Sequence, residues 1–97
     1  MLQMSQIKDT ASALGEEYGV ENIYLFGSYA RGDANEDSDV DFRIDKGAIR
    51  GLFKLAGLQV DLEDSLGKSV DLLTTDSLDD EFLNRIKSEE ILLYAGK

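Results

Sequence analysis

The six residues from Asp39 to Ile44 alternate strictly between polar and apolar side chains, which constrains the fold more than any other segment. Successive side chains of a β-strand point to opposite faces of the sheet, so this segment is predicted to be a half-buried strand. Its apolar face comprises Val40, Phe42 and Ile44. Asp39 and Asp41 share the opposite face, with their Cα atoms about 6.5 to 7 Å apart, so both carboxylates can reach one site.

Helical periodicity appears in three other segments. Ser5 is predicted to cap a first helix that ends at Gly19, and leucines at helical spacing predict a second helix that ends at Gly67. Ser77 is predicted to cap a third helix, with acidic residues in its first turn where they suit the helix dipole.

Two further short segments have the character of strands. The apolar run from Ile23 to Phe26 predicts a strand buried on both faces, and Ser69 to Thr74 predicts a third strand that carries Asp71. The predicted order is helix, strand, strand, helix, strand, helix. Because no linker, repeat or low-complexity tract interrupts it, we expect one domain over residues 1–97.

Composition restricts the chemistry. The 97 residues include no cysteine and no histidine, so disulfides, thiolates and the commonest metal ligand are excluded. The net charge of −10 argues against binding of extended nucleic acid, which depends on Lys and Arg. No apolar run reaches the roughly 18 residues of a membrane span and the N-terminus does not resemble a signal peptide, so we expect a cytoplasmic protein with no membrane contact.

A glycine turn lies between two of the predicted strands. Gly27 and Ser28 follow the buried strand and precede Arg31, so the chain turns out of the sheet toward a short helix. Free backbone amides at such a turn favour anions, glycine allows close approach, and the serine hydroxyl adds a donor. The turn predicts phosphate binding. It is not a P-loop, because Asp33 follows Gly32 where the phosphate-binding lysine is required.

The carboxylates predict a metal site. If the strand of Asp71 lies beside that of Asp39 and Asp41, three carboxylates share one face. Such a set can hold two metal ions about 3.5 to 4 Å apart, as in in-line phosphoryl transfer. Mg²⁺ prefers these hard oxygen ligands. The alternative is that the alternating acidic residues are the solvated face of an edge strand.

The motifs together resemble a known family. The stretch from Gly27 to Gly32, followed by Ser38-Asp39-Val40-Asp41 and Ile44-Asp45, resembles the signature of the polymerase-beta-like nucleotidyltransferases, specifically their minimal branch. The resemblance extends over the strand from Ser69 to Thr74 and the helix after it. It implies an α+β fold, with a small mixed three-stranded sheet flanked by three or four helices.

The resemblance also implies roles for individual residues. Gly27 and Ser28 would contact the triphosphate of ATP, while Asp39, Asp41 and Asp71 would hold two Mg²⁺ ions. Asp71 would also accept the proton of the attacking hydroxyl. Arg31 would lie near the phosphates, although an ion pair with Asp33 or Asp37 explains it equally well. For Arg43, ion pairing is the expected role.

The acceptor of the nucleotide lies outside the motifs. Small bacterial proteins resembling this one commonly occur as antitoxins that transfer AMP from ATP to a tyrosine of a HEPN-domain toxin. A HEPN toxin is therefore the expected partner, and a hetero-oligomer is the expected assembly. Two alternatives remain open: a catalytic subunit that modifies a small molecule such as an aminoglycoside, and an antitoxin that neutralises its partner by binding alone.

Overall fold

The computed structural model describes residues 1–96. Along these residues four strands and four helices follow one another, with a short 3-10 turn at Thr75–Ser77. In chain order they are α1 (Met4–Tyr18), β1 (Asn22–Phe26), α2 (Ser28–Arg31), β2 (Val40–Asp45), α3 (Gly51–Leu66), β3 (Val70–Thr74), α4 (Asp80–Lys87) and β4 (Ile91–Ala95).

The strands form one mixed sheet in the order β3-β2-β1-β4. β1 pairs antiparallel with both β2 and β4, whereas β2 and β3 run parallel with α3 as their crossover. The α+β class is confirmed, but the predicted count of three strands is wrong. The missed strand, β4, is a run of apolar residues without alternation, and its pairing with β1 includes a bulge between Ile23 and Tyr24.

The hydrophobic core lies on one face of the sheet, under α1 and α3. Every second residue of β2 is fully buried there, as the alternation predicted. The helices contribute residues at steps of three and four, which places their apolar stripes against the sheet. The central contributors are Ile7, Ala11, Leu14, Val40, Phe42, Ile44, Leu58, Leu62 and Leu66. The opposite face of the sheet is therefore left for the polar residues of β2 and β3.

Two predicted helix starts are wrong. α1 begins at Met4, and Gln3 rather than Ser5 is its N-cap, with the Gln6 side chain accepting from the Gln3 amide at 2.8 Å. α4 is capped by Asp79, whose carboxylate accepts from the Phe82 amide at 2.8 Å, because Ser77 lies in the preceding 3-10 turn. In both cases several polar residues near the helix start compete for the cap, and periodicity alone does not select among them.

A hydrogen bond joins the two helices of the core layer. The Tyr18 hydroxyl donates to Asp61 of α3 at 2.6 Å, and this contact raises the pKa of Tyr18 to about 12. We expect Tyr18→Phe to lower the free energy of unfolding by about 1 kcal/mol, the usual net value of such a bond. Urea unfolding of the two proteins measures this difference. An unchanged midpoint would show that the bond contributes nothing to stability.

Within the described residues, no helix combines the length and apolar character that a membrane crossing requires.

Candidate active site

The glycine turn leaves β1 at the edge of the polar face. Gly27 has φ 77° and ψ −156°, a combination that essentially only glycine adopts. A Cβ atom at this position would overlap the Asp41 carboxylate, so the backbone of Gly27 lies directly against that side chain. The one-turn helix α2 begins at Ser28, as predicted. Glycine is therefore required here for both its backbone conformation and its size.

The carboxylates of two neighbouring strands meet beside this turn. Asp41 and Asp71 are register partners on the parallel strands β2 and β3, which is the arrangement that the sequence analysis required. Asp39 lies two residues before Asp41, immediately before β2. Its negative charge helps to raise the pKa of Asp41. Asp39 and Asp71 are exposed, whereas Asp41 is half-buried. The structure thus places Asp41 and Asp71 side by side, with Asp39 near enough for its charge to act on Asp41.

The crowding of carboxylates has an electrostatic consequence at Asp41. Burial, together with a hydrogen bond to Asp71 and the nearby charges of Asp71 and Asp39, raises the pKa of Asp41 to about 6. The positive charge of Arg31 acts in the opposite direction but is the smallest of these effects. In the absence of a cation, the site favours a proton on Asp41.

This shift predicts how the metal-free protein responds to pH. The pKa of Asp41 is raised from 3.8 to about 6, so its contribution to stability is present below pH 3.8 and is lost as pH rises through 6. Asparagine does not ionise, so the Asp41→Asn variant does not lose stability in this way as pH rises. We therefore expect the variant, unfolded by urea in the presence of a chelator, to gain stability relative to the wild type between pH 4 and pH 7. A difference independent of pH would contradict the assigned environment of Asp41.

The residues present fit a magnesium site by their chemistry. Mg²⁺ is usually held by one or two protein carboxylates while phosphates and waters complete its octahedral shell. Asp41 offers a half-buried carboxylate whose charged form is unfavourable until a cation neutralises it. In residues 1–96 no three acidic side chains converge into a ready-made cage, so the assignment of Asp39, Asp41 and Asp71 as one ligand set stays a prediction.

Arg31, the last residue of α2, is held by two carboxylates. Its guanidinium pairs with Asp33 at 3.3 Å, as one of the two interpretations of the sequence proposed, and with Glu89 at 3.2 Å. Both contacts raise the pKa of Arg31 above its ordinary value, with Asp33 the larger cause. Glu89 was not predicted from the sequence, because a contact between residues 58 positions apart has no local signal.

The guanidinium of Arg43 is bound by side chains outside the candidate site. It lies on the polar face but is only 3% exposed, with its guanidinium 3.9 Å from the Tyr24 ring. Glu90 binds it through both carboxylate oxygens, at 2.8 and 2.9 Å, and the Thr75 hydroxyl accepts a further bond at 2.7 Å. The predicted ion-pairing role is confirmed.

α4 covers part of the polar face and creates a cleft beside the glycine turn. The Phe82 ring meets the Phe26 ring edge to face, with centroids 6.2 Å apart. Next to this pair is an open cleft of about 260 Å³ lined by Phe26, Gly27, Arg31, Phe82, Arg85, Ile86 and Glu89. The cleft therefore adjoins both the anion-favouring turn and a cationic side chain.

A glycine turn leads from the interior strand β1 into a short helix, and carboxylates lie on the adjacent parallel strands β2 and β3. This is the arrangement that the resemblance to nucleotidyltransferases implied. The comparison of the sequence with family models agrees. The chain belongs to the family described as Polymerase beta, Nucleotidyltransferase, whose model matches residues 6–97.

Known proteins extend this assignment. The chain is 44% identical to the protein adenylyltransferase MntA of Thermococcus cleftensis over 82 residues, which cover 80% of this chain and 83% of that protein. Its fold is similar to that in a crystal structure of a toxin-antitoxin with AMP-PNP, with a TM-score of 0.79, 22% identity and coverage of 91% and 73% of the two chains.

A second solved structure has the same fold. It is a complex of a tri-AMPylated Shewanella oneidensis HEPN toxin with an MNT antitoxin, with a TM-score of 0.74 and 19% identity, covering 96% of this chain and 73% of that chain. The two structural likenesses show the fold, and the sequence relationship shows the family.

Proposed function

We propose that this protein is an antitoxin that transfers AMP from ATP to a tyrosine hydroxyl of a HEPN-domain toxin. The observation that carries the proposal is the placement of Asp41 and Asp71 side by side, with Asp41 directly against the backbone of Gly27. A phosphate chain at the turn is then next to the carboxylates that would hold its cation. The name of the Thermococcus cleftensis relative, a protein adenylyltransferase, supports the same reaction.

The proposed reaction assigns a role to each side of the site. Gly27 and Ser28 bind the triphosphate, with Arg31 as a further contact. Asp39, Asp41 and Asp71 would hold two Mg²⁺ ions, which would neutralise charge on the reacting phosphates. The acceptor oxygen forms a bond to the α-phosphorus, and the bond from that phosphorus to the bridging oxygen breaks as pyrophosphate leaves. Asp71, exposed at the edge of the site, accepts the proton of the acceptor hydroxyl.

The acceptor is proposed to be a separate protein. The carboxylate edge is open, with Asp39 and Asp71 both exposed, so a side chain presented by another molecule can reach it. The Shewanella oneidensis complex pairs an MNT antitoxin with a HEPN toxin carrying three AMP groups, which supports a toxin as the acceptor. We propose a cytoplasmic hetero-oligomer in which residues 1–97 act as one domain.

Incubation with ATP, Mg²⁺ and a candidate HEPN-domain partner from the same organism tests this function. We expect intact-mass spectrometry to show the mass of one or more adenylyl groups on the partner, and peptide mapping to place them on tyrosine. Asp39→Asn should form the same complex but add no mass. An unmodified partner with the wild-type protein would remove the catalytic claim.

The same variants separate the remaining alternatives. If the protein neutralises its partner by binding alone, Asp41→Asn should protect cells from the toxin as well as the wild type does. If it is a subunit that modifies a small molecule, the adenylyl group should appear on an aminoglycoside rather than on the partner. We expect neither result, because Asp41 lies beside Asp71 and against the glycine turn, as nucleotidyl transfer requires, and the Thermococcus cleftensis relative is named a protein adenylyltransferase.

A further inference from the structure

Glu89 occupies the position at the glycine turn where an anion would bind. Its carboxylate accepts a hydrogen bond from the Gly27 amide at 2.7 Å. The same carboxylate pairs with the Arg31 guanidinium at 3.2 Å. A charged oxygen between a backbone N–H and an arginine is the environment that a phosphate oxygen requires. Glu89 therefore holds both groups that the proposed function assigns to the triphosphate.

The two anions cannot share these donors fully. A backbone amide carries one hydrogen, so the Gly27 N–H bonds either to Glu89 or to a phosphate oxygen. A carboxylate offers only acceptors to a phosphate, and two like charges at this distance repel each other. The carboxylate must leave before a phosphate takes its place.

The backbone that carries Glu89 is fixed, so only its side chain is free to leave. The amides of Glu89 and Glu90 both donate to the Ile86 carbonyl, at 3.1 and 2.9 Å. Glu90 is bound through both oxygens by the buried guanidinium of Arg43. Glu89, by contrast, is partly exposed and borders the open cleft. Rotation of one side chain into the cleft is thus enough to free Gly27 and Arg31.

We propose that Glu89 is an internal competitor of the nucleotide, which closes the phosphate site until a polyphosphate displaces it. The proposal rests on the proposed function, since it takes the Gly27 turn as the triphosphate site. It makes Glu89 a determinant of nucleotide affinity. Its effect is confined to ligands that carry phosphate, because the contacts it blocks are those of an anion.

Glu89→Gln tests this competition, since it keeps the size and an acceptor oxygen but removes the charge. The ligands are α,β-methylene ATP with Mg²⁺, which cannot transfer its α-phosphate, and adenosine, measured by calorimetry. We expect the variant to bind the ATP analogue roughly three- to tenfold more tightly. The phosphate no longer has to displace the partly exposed ion pair between Glu89 and Arg31, and ion pairs of this kind contribute little free energy. Adenosine affinity should not change. Glu81→Gln, the same substitution at an exposed residue of α4, is the control for net charge.

If the wild type binds the ATP analogue and Glu89→Gln binds it equally or more weakly, Glu89 only fastens α4 to the glycine turn and the competition is absent. If neither protein binds the analogue while thermal unfolding shows both folded, the proposed function fails as well. Glu89→Asp provides a second variant, because its shorter side chain keeps the charge but does not reach Gly27. It should also bind the analogue more tightly.

Discussion

Asp41→Asn is expected to reduce adenylyl transfer by at least about 100-fold, the usual cost of removing one preorganised group that stabilises transition-state charge. Asp41 is half-buried near two other carboxylates, and of the three predicted metal-binding carboxylates it is the one that lies against Gly27. Asparagine keeps the shape of the side chain but cannot neutralise a cation. The kcat/KM for modification of the partner measures the loss.

The matched control for this variant is Asp45→Asn. Asp45 lies on the same face of the same strand, about 13 Å farther along β2. Its carboxylate accepts from Asn22 at 2.9 Å and is 3.7 Å from Arg43, so it has structural partners only. We expect the Asp45→Asn protein to retain most of its activity. Equal losses in both variants would show that the acidic face acts only through its total charge.

Gly27→Ala is expected to lower the stability of the protein and to weaken nucleotide binding. The backbone of Gly27 lies in a region that costs other residues about 1 to 3 kcal/mol. The added Cβ would also collide with the Asp41 carboxylate, and overpacking of this kind costs a further 1 to 3 kcal/mol or so. We expect the free energy of unfolding to fall by roughly 2 to 6 kcal/mol, the sum of these two costs.

Gly32→Ala separates the two causes. Gly32 also has a positive φ, 87°, but a Cβ there would meet no atom within 4 Å. This variant should therefore show only the strain, about 1 to 2 kcal/mol, and should keep its nucleotide binding. Chemical unfolding and titration of an ATP analogue measure both effects. If Gly27→Ala matched Gly32→Ala in both, close contact between Gly27 and Asp41 would be disproved.

The strand β2 and the glycine turn could be predicted from the sequence because each depends only on neighbouring residues. The alternation in β2 has a period of two, so it fixes which face holds Asp39 and Asp41 without any knowledge of the neighbouring strands. Gly27 ends an apolar run and precedes a helix, a combination with few structural interpretations. The adjacency of Asp71 was conditional on strand order, and the register of β2 with β3 confirms it.

The features that were missed depend on contacts distant in sequence. β4 is an edge strand whose residues do not alternate, so only its pairing with β1 identifies it. Glu89 is unremarkable in sequence, and its importance comes from its distance to Gly27, 62 residues earlier. The burial of Arg43 likewise required the position of Glu90. Local patterns carry no information about such contacts.

The label that ATP leaves on the partner tests the central claim most directly. Parallel reactions use ATP labelled at the α-phosphate and ATP labelled at the γ-phosphate, with the toxin as acceptor. Adenylyl transfer predicts that label from the α-position becomes covalently bound to the toxin while label from the γ-position is released in pyrophosphate. Label from the γ-position on the toxin, or no label from either, would contradict this account of the site.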